Sequence, residues 1–152
     1  MQRRNPALKA RAVTRKGIGR FRAFLSRGAA ASQKIEAIRR GVEARVVDEM
    51  VDYLGVPKSV IFRVLQTPES TAHKLIKENR PLDSAASERV VRVAEITRMA
   101  EETFGGREAA TRWLKTPNLS LGREMPLSLL DTEFGAGEVR SVLSAIDHGG
   151  AL

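Results

Sequence analysis

The helical spacing of apolar residues is the feature that most constrains the fold of this chain. It is clearest in SAASERVVRVAEITRMAEETF, residues 84–104, where the predicted buried face consists of Val90, Val93, Ala94, Met99, Ala100 and Phe104. Positions that recur every three or four residues lie on one face of an α-helix. No segment alternates apolar and polar residues as a strand would, and aromatic residues, which favour strands, make up 5% of the chain. We therefore predict an all-α fold.

Glycine and proline residues divide the remaining sequence into shorter helices. Before the long helix we predict helices within residues 33–42, 43–55, 58–65 and 69–78. Gly55 is a helix C-cap, and Pro57 belongs to the first turn of the next helix, where its missing N–H costs little. Gly105-Gly106 ends the long helix. We expect three more helices, within residues 106–115, 125–133 and 135–150, and no core element in residues 118–124.

Positive charge is concentrated at the N-terminus. Residues 1–40 hold twelve Lys or Arg and one acid, residues 41–104 hold nine and eleven, and residues 105–152 hold five and six. The net charge of +8 therefore comes from the start of the chain. Because like charges repel and little apolar surface can be buried there, we expect residues 1–32 to form a disordered basic arm.

The arm has several interpretations from sequence. It could bind DNA phosphates, remain a solvated tail, or act as an organelle transit peptide. The helically spaced Ile18, Phe21, Phe24 and Leu25 could also form an amphipathic turn on a partner. If the arm binds DNA, its candidate contacts are Arg3, Arg4, Arg11, Arg15 and Lys16.

Two short helices separated by Gln66-Thr67-Pro68 match a helix-turn-helix. Its candidate DNA contacts are Thr67, Ser70, Thr71, His73, Lys74 and Lys77. The motif has two departures, because Phe62 stands where a small residue is usual and Gln66 where glycine is usual. A helical hairpin in a plain bundle, with a solvated lysine face, is the alternative.

The sequence offers no arrangement suited to catalysis. Cysteine is absent, and the two histidines, His73 and His148, have no neighbours at metal-ligand spacing. We therefore expect no enzyme activity, cofactor, metal or small-molecule substrate. No apolar run approaches the roughly 18 to 20 residues that span a bilayer, so we expect no membrane partner. The absence of cysteine fits a reducing compartment, and we expect a cytoplasmic protein.

The C-terminal third resembles the toxin-binding domain of the MbcA/ParS/Xre antitoxin family. Its matching motifs are Trp113-Leu114, Pro117-Asn118, Leu121-Gly122, Pro126-Leu127 and Leu130-Asp131-Thr132. Upstream, IEAIRRGV, LGVPKSVIFRVLQTPESTAHKL and ERVVRVAEI resemble the Xre-like helix-turn-helix half of the same family. This organisation is an arm (1–32), a helix-turn-helix domain (33–104) and a toxin-binding domain (105–152), with the long helix connecting the last two.

The resemblance implies an antitoxin of a RES-domain toxin, an enzyme that consumes NAD in this family. It also implies a homodimer that binds operator DNA and represses its own operon. The C-terminal module would contact the toxin and obstruct its active site, with candidate contacts Arg140, Leu143, Asp147, His148 and Gly149. The family often carries paired arginines in the recognition helix, whereas this chain has Lys74 followed by Leu75, which shifts DNA affinity towards the arm.

Three other functions are compatible with parts of the sequence. A stand-alone helix-turn-helix regulator would have no toxin partner. An architectural DNA binder would depend on the arm and show little sequence preference. A small enzyme is the least favoured, because no nucleophile–base pair or metal set is visible.

Overall fold

A computed structural model describes residues 21–26 and 28–149, and the secondary-structure elements of this part are helices joined by loops. It has isolated bridges between residues 43 and 81 and between residues 118 and 124, but no strand in the described part. The predicted all-α fold is confirmed. The α-helices are α1 (Phe21–Leu25), α2 (Ala31–Arg40), α3 (Val46–Leu54), α4 (Lys58–Leu65), α5 (Glu69–Lys77), α6 (Ser84–Phe104), α7 (Arg107–Leu114) and α8 (Glu133–Asp147). Two 3₁₀ helices, Leu119–Leu121 and Pro126–Asp131, lie between α7 and α8.

Helix α6 is the centre of the molecule. Helices α1, α2, α4, α7 and α8 all pack against it, and Val90, Val93 and Ala94 on its predicted inner face are fully buried. Its ends are fixed by local chemistry: the Asp83 carboxylate accepts a hydrogen bond from the Ala86 N–H at 2.8 Å. Gly105 closes the other end in the left-handed conformation at φ 82°. The helix has the bounds predicted from the sequence.

The packed body begins earlier than the sequence indicated. We expected the arm to continue through residue 32, but Phe21 and Phe24 of α1 are buried in the core against α3 and α6. A five-residue helix is too short to be stable alone, so it is this burial that holds α1 in place. The candidate arm contacts Arg3, Arg4, Arg11, Arg15 and Lys16, and also Ile18, lie outside the described residues.

The segment after α7 also differs from expectation. We expected a loop without core residues, but Leu119–Leu121 forms a 3₁₀ turn whose Leu121 is buried. The Asn118 side chain starts this turn by accepting a hydrogen bond from the Ser120 N–H at 2.8 Å. Trp113 is partly buried against the core, with its ring 5.4 Å from that of Phe104.

The second 3₁₀ helix and α8 meet at a turn that requires glycine. The Thr132 hydroxyl accepts a hydrogen bond from the Gly135 N–H at 3.0 Å and caps α8. A Cβ on Gly135 would lie 2.0 Å from the Leu129 carbonyl oxygen, so no larger residue fits. The start of α8 is therefore pressed against the preceding 3₁₀ helix.

Candidate functional site

Helices α4 and α5 form the predicted helix-turn-helix. Ile61 and Leu65 of α4 are fully buried, and Ala72 of α5 is nearly so. These residues hold the two helices together across a tight turn, in which the Thr67 N–H donates to the Phe62 carbonyl oxygen at 3.1 Å. Of the candidate DNA contacts in this region, Ser70, Thr71, His73, Lys74 and Lys77 are exposed, and Thr67 is half-buried.

The turn explains one departure from the usual helix-turn-helix pattern. Gln66 adopts the left-handed conformation, φ 57°, that normally favours glycine. Its side-chain Nε2 donates a hydrogen bond to Asp131 Oδ2 at 3.3 Å, a contact that glycine could not make. Gln66 thus joins the helix-turn-helix to the second 3₁₀ helix of the C-terminal module.

Phe62 explains the other departure. Its side chain is buried, and its ring lies 5.3 Å from the His73 ring at an interplanar angle of 80°. His73 Nε2 lies 3.7 Å from Glu69 Oε1, one helical turn back on α5. Phe62 therefore supports an exposed side-chain pair on the recognition helix.

Sequence reasoning missed Glu69, although its place as the first residue after the turn was visible. Its carboxylate and that of Glu78 at the end of α5 offset Lys74 and Lys77. Taken with its flanking C-cap, the recognition helix is thus close to neutral. This helix therefore offers little net positive charge to DNA phosphates.

Helix α8 carries the candidate toxin contacts. The Arg140 guanidinium donates to Glu133 Oε1 at 2.6 Å, and Arg92 donates to Glu133 Oε2 at 3.1 Å. The hydrogen bond from Arg140, helped by the charges of both arginines, lowers the pKa of Glu133 below its usual value against a smaller opposing effect of burial. Glu133 is thus held as a carboxylate between two helices.

Of the other candidate toxin contacts, three lie at the surface and one lies in the core. Asp147, His148 and Gly149 are exposed at the end of α8, where His148 Nδ1 lies 2.7 Å from the Ser144 carbonyl oxygen. Leu143 is fully buried, so it cannot contact a partner directly and instead fixes α8 to the core. Leu143 lies one helical turn after Val139 and directly after Val142, and all three side chains are buried.

Two exposed apolar side chains in this module were not singled out from sequence. Phe134, in the first turn of α8, is 83% exposed, and Leu119, in the first 3₁₀ helix, is 81% exposed. Contiguous exposed apolar patches mark protein contacts, whereas single exposed apolar residues are common on protein surfaces. No sequence signal sets them apart, because helix periodicity alone does not fix which residues a partner covers.

Neither a metal site nor a membrane span was found in the described part of the chain. No group of three or more His, Asp or Glu side chains there could hold a metal ion. None of its helices is both long and apolar enough to cross a membrane.

Comparison with known proteins accounts for both halves of this architecture. Residues 33–95 match the antitoxin Xre-like helix-turn-helix domain, and residues 99–149 match the antitoxin Xre/MbcA/ParS C-terminal toxin-binding domain. The chain is 32% identical over 116 residues to the antitoxin Xre of Yersinia enterocolitica, covering 76% of this chain and 78% of that protein. The chain belongs to the Xre antitoxin family.

Further relatives carry related names. This Xre-family antitoxin is 32% identical over 125 residues to the Prs ADP-ribosylating antitoxin of a Sphingobium species, covering 76% of this chain and 79% of that protein. It is 35% identical over 85 residues to the antitoxin Xre of Pseudomonas putida, covering 56% and 54% of the two chains. The Xre-family antitoxin thus has a helix-turn-helix domain and a toxin-binding domain, and α1 precedes both matched segments.

Proposed function

We propose that this Xre-family antitoxin neutralises a RES-domain, NAD-consuming toxin by occluding its active site and represses its own operon as a DNA-binding homodimer. It would act in the cytoplasm without catalysis, cofactor or small-molecule substrate. The observation that carries the proposal is that a toxin-binding domain and a helix-turn-helix share one core. Occlusion needs only a complementary surface and no chemistry from the antitoxin.

The toxin-contacting surface that we propose lies on the outer side of the C-terminal module. It consists of Arg140, Asp147, His148 and Gly149, together with the exposed Phe134 and Leu119. A few large apolar or arginine side chains commonly carry most of the energy of a protein interface. Arg140 is pre-oriented by Glu133, so little side-chain entropy is lost when it binds.

The class of toxin rests on the family resemblance and on one relative. The Sphingobium relative has ADP-ribosylation in its name, and ADP-ribosyl transfer draws on NAD. This supports an NAD-consuming enzyme as the toxin. A toxin that consumes NAD gives a direct biochemical readout of neutralisation.

Co-expression with the product of the neighbouring gene tests the antitoxin function. We expect the two proteins to co-purify, the antitoxin to rescue growth arrest, and NAD consumption by the toxin to stop when the antitoxin is added. Phe134→Ala should weaken this inhibition, whereas Arg112→Ala, an exposed change on α7 outside the proposed surface, should leave it unchanged. Failure to co-purify together with failure to rescue growth would favour the alternative of a stand-alone helix-turn-helix regulator.

In this proposal the arm supplies general affinity for DNA, and α5 discriminates between DNA sequences. Residues 1–20 hold seven Lys or Arg and no acid, including Arg3, Arg4, Arg11, Arg15 and Lys16. The close-to-neutral α5 would place Ser70, His73 and Lys74 in the major groove, with Thr67, Thr71 and Lys77 near phosphates. One short helix discriminates weakly, so two copies on two half-sites are needed.

Deletion of residues 1–20 tests the arm without disturbing α1. We expect lower operator affinity and a flatter dependence on salt, by about 0.9 in the logarithmic slope for each phosphate that the arm neutralises. Toxin binding should stay intact, because the deletion removes nothing from α7, α8 or the 3₁₀ helices. An unchanged affinity and salt slope would show that the arm does not bind DNA.

A further inference from the structure

The first turn of α5 presents a carboxylate where a recognition helix meets base edges. Glu69 is the first residue of α5, and its side chain is 70% exposed. In helix-turn-helix proteins the N-terminal residues of the second helix contact the bases. A carboxylate there accepts hydrogen bonds only and is repelled by phosphates. It therefore lowers general DNA affinity unless it finds a hydrogen-bond donor on a base.

Glu69 has His73 beside it on α5, and His73 in turn packs against Phe62 of α4. Buried Phe62 lies edge-on to the His73 ring, and His73 Nε2 lies 3.7 Å from the Glu69 carboxylate. Phe62 fills the position where most helix-turn-helix motifs have a small residue, so this support depends on a departure specific to the chain. The His73 ring nitrogen thus lies beside the Glu69 carboxylate, beyond hydrogen-bond distance but close enough for a charge interaction when the ring is protonated.

The chemistry of the major groove limits what such a carboxylate can select. Cytosine presents the N4 amino donor, whereas guanine presents only the O6 and N7 acceptors and thymine presents an acceptor and a methyl group. Adenine offers a donor beside an acceptor, which suits a side-chain amide better than a carboxylate. At the position that it contacts on one strand, a carboxylate thus favours cytosine over guanine.

We propose that Glu69 is a specificity-determining residue that reads a cytosine amino group in each operator half-site, supported by His73 on Phe62. The inference rests on the proposed DNA-binding function and names the base feature that this helix recognises. It assigns the support to a histidine and an aromatic ring that the general helix-turn-helix pattern does not require.

A structural role for Glu69 must be separated from base reading. An acidic residue in the first turn of a helix also stabilises that helix through the macrodipole. Glu69→Asp keeps the charge and this stabilisation but shortens the reach of the carboxylate. Glu69→Gln keeps the length and removes the charge, and a glutamine amide pairs with adenine. The two variants therefore give different results if the carboxylate contacts a base.

The experiment measures binding of the full chain to a set of operator fragments at one fixed salt concentration. Each fragment carries one base-pair substitution, and together the fragments cover every position. For the wild type we expect one position in each half-site where cytosine is preferred by about 5- to 150-fold. Glu69→Gln should lose this preference or turn it towards adenine, and Glu69→Asp should reduce it, with the other positions unchanged. His73→Gln should weaken the preference at the same position.

A matched control on the same helix distinguishes base contacts from phosphate contacts. Lys77→Ala should weaken binding evenly across all fragments and reduce the salt slope by about 1. If Glu69→Gln also changes all fragments evenly, or keeps the wild-type base preferences while still binding the operator, the inference is overturned and operator binding stands. If the wild type shows no operator preference at all, the proposed repression is overturned together with the inference.

Discussion

At the scale of single residues, Tyr53 lies where three parts of the chain meet. The Phe21 ring of α1 approaches it edge-on at 5.5 Å, and the Arg107 guanidinium of α7 lies 4.1 Å from its ring centroid. Its hydroxyl donates a hydrogen bond to Glu101 of α6. Burial raises the pKa of Tyr53 to about 12, with further contributions from the hydrogen bond and charge of Glu101 and opposition from Arg107 and Arg22.

This shift can be measured directly, because Tyr53 is the only tyrosine in the chain. The folded protein favours the neutral phenol, so the stability linked to this shift is fully present below the usual pKa of 10.0 and is lost as the pH rises towards about 12. The tyrosinate absorbance of the folded protein should therefore have a midpoint near 12.

The variant Glu101→Gln separates the two main causes of the shift. It should lower the midpoint, because the hydrogen bond to a carboxylate and its negative charge both disappear. Burial, the largest cause, remains, so the midpoint should stay above 10.0. A wild-type midpoint at the ordinary tyrosine value, with circular dichroism still showing a folded protein, would contradict this account of the contact.

At the scale of elements, local sequence predicts long helices better than short ones. Helix α6 was predicted with its observed bounds because twenty-one residues give periodicity and capping signals together. Helix α1 and the Leu119–Leu121 turn were not predicted as packed elements. With five and three residues, they are fixed by tertiary burial of Phe21 and Leu121, which a local pattern does not encode.

The candidate site shows the same division. The two short helices and the turn between them predicted the helix-turn-helix, and its candidate DNA contacts on α5 are exposed. The position of Glu69 beside His73 follows from their i, i+4 spacing on α5. The contact of Phe62 with His73, in contrast, depends on how α4 and α5 pack. The resemblance suggested Leu143 as a toxin contact, but its helical spacing with Val139 indicated the core, and the spacing was correct.

Helix α1 supplies the element-scale prediction. Phe21→Ala should destabilise the protein by up to about 3 kcal/mol, because a fully buried aromatic side chain is removed. The destabilisation has a ceiling, since a helix near the N-terminus can detach once its anchor is weakened. Urea unfolding followed by circular dichroism measures the change, and a chain starting at residue 27 should define the ceiling.

The matched control for this variant is Ser26→Ala, an exposed change directly after the same helix. It should change stability by no more than about 0.5 kcal/mol. If Phe21→Ala is as mild as this control, α1 does not contribute to the core. Because α1 precedes residue 33, where the family match begins, chains trimmed to the matched segment should also be less stable than the full chain.

At the scale of the whole molecule, α6 joins the helix-turn-helix to the toxin-binding module. Arg89 Nε donates to the Asp131 carbonyl oxygen at 2.9 Å, and its Nη1 donates to the Leu65 carbonyl oxygen at 3.4 Å. Arg92, only 9% exposed, donates to the Leu130 carbonyl oxygen at 3.0 Å and to Glu133. One helix therefore satisfies backbone acceptors from both halves.

This connection predicts that the two halves unfold together. The only tryptophan, Trp113, reports the C-terminal module by its fluorescence, whereas circular dichroism reports helices in both halves. The two urea transitions should coincide, because α6 packs against both halves and loses half of its packing partners when either one unfolds. A fluorescence transition at lower urea than the circular dichroism transition would show two independent units.

The variant Arg92→Met tests whether the buried arginine holds the halves together. It leaves the Leu130 carbonyl oxygen without its side-chain donor, which costs about 1–3 kcal/mol for a buried polar group. Both transitions should move to lower urea by the same amount. Arg98→Met removes the surface pair with Glu102 on the same helix. It should lower the free energy of unfolding by less than about 1 kcal/mol. If Arg92→Met moves the fluorescence transition alone, the arginine stabilises only the toxin-binding module.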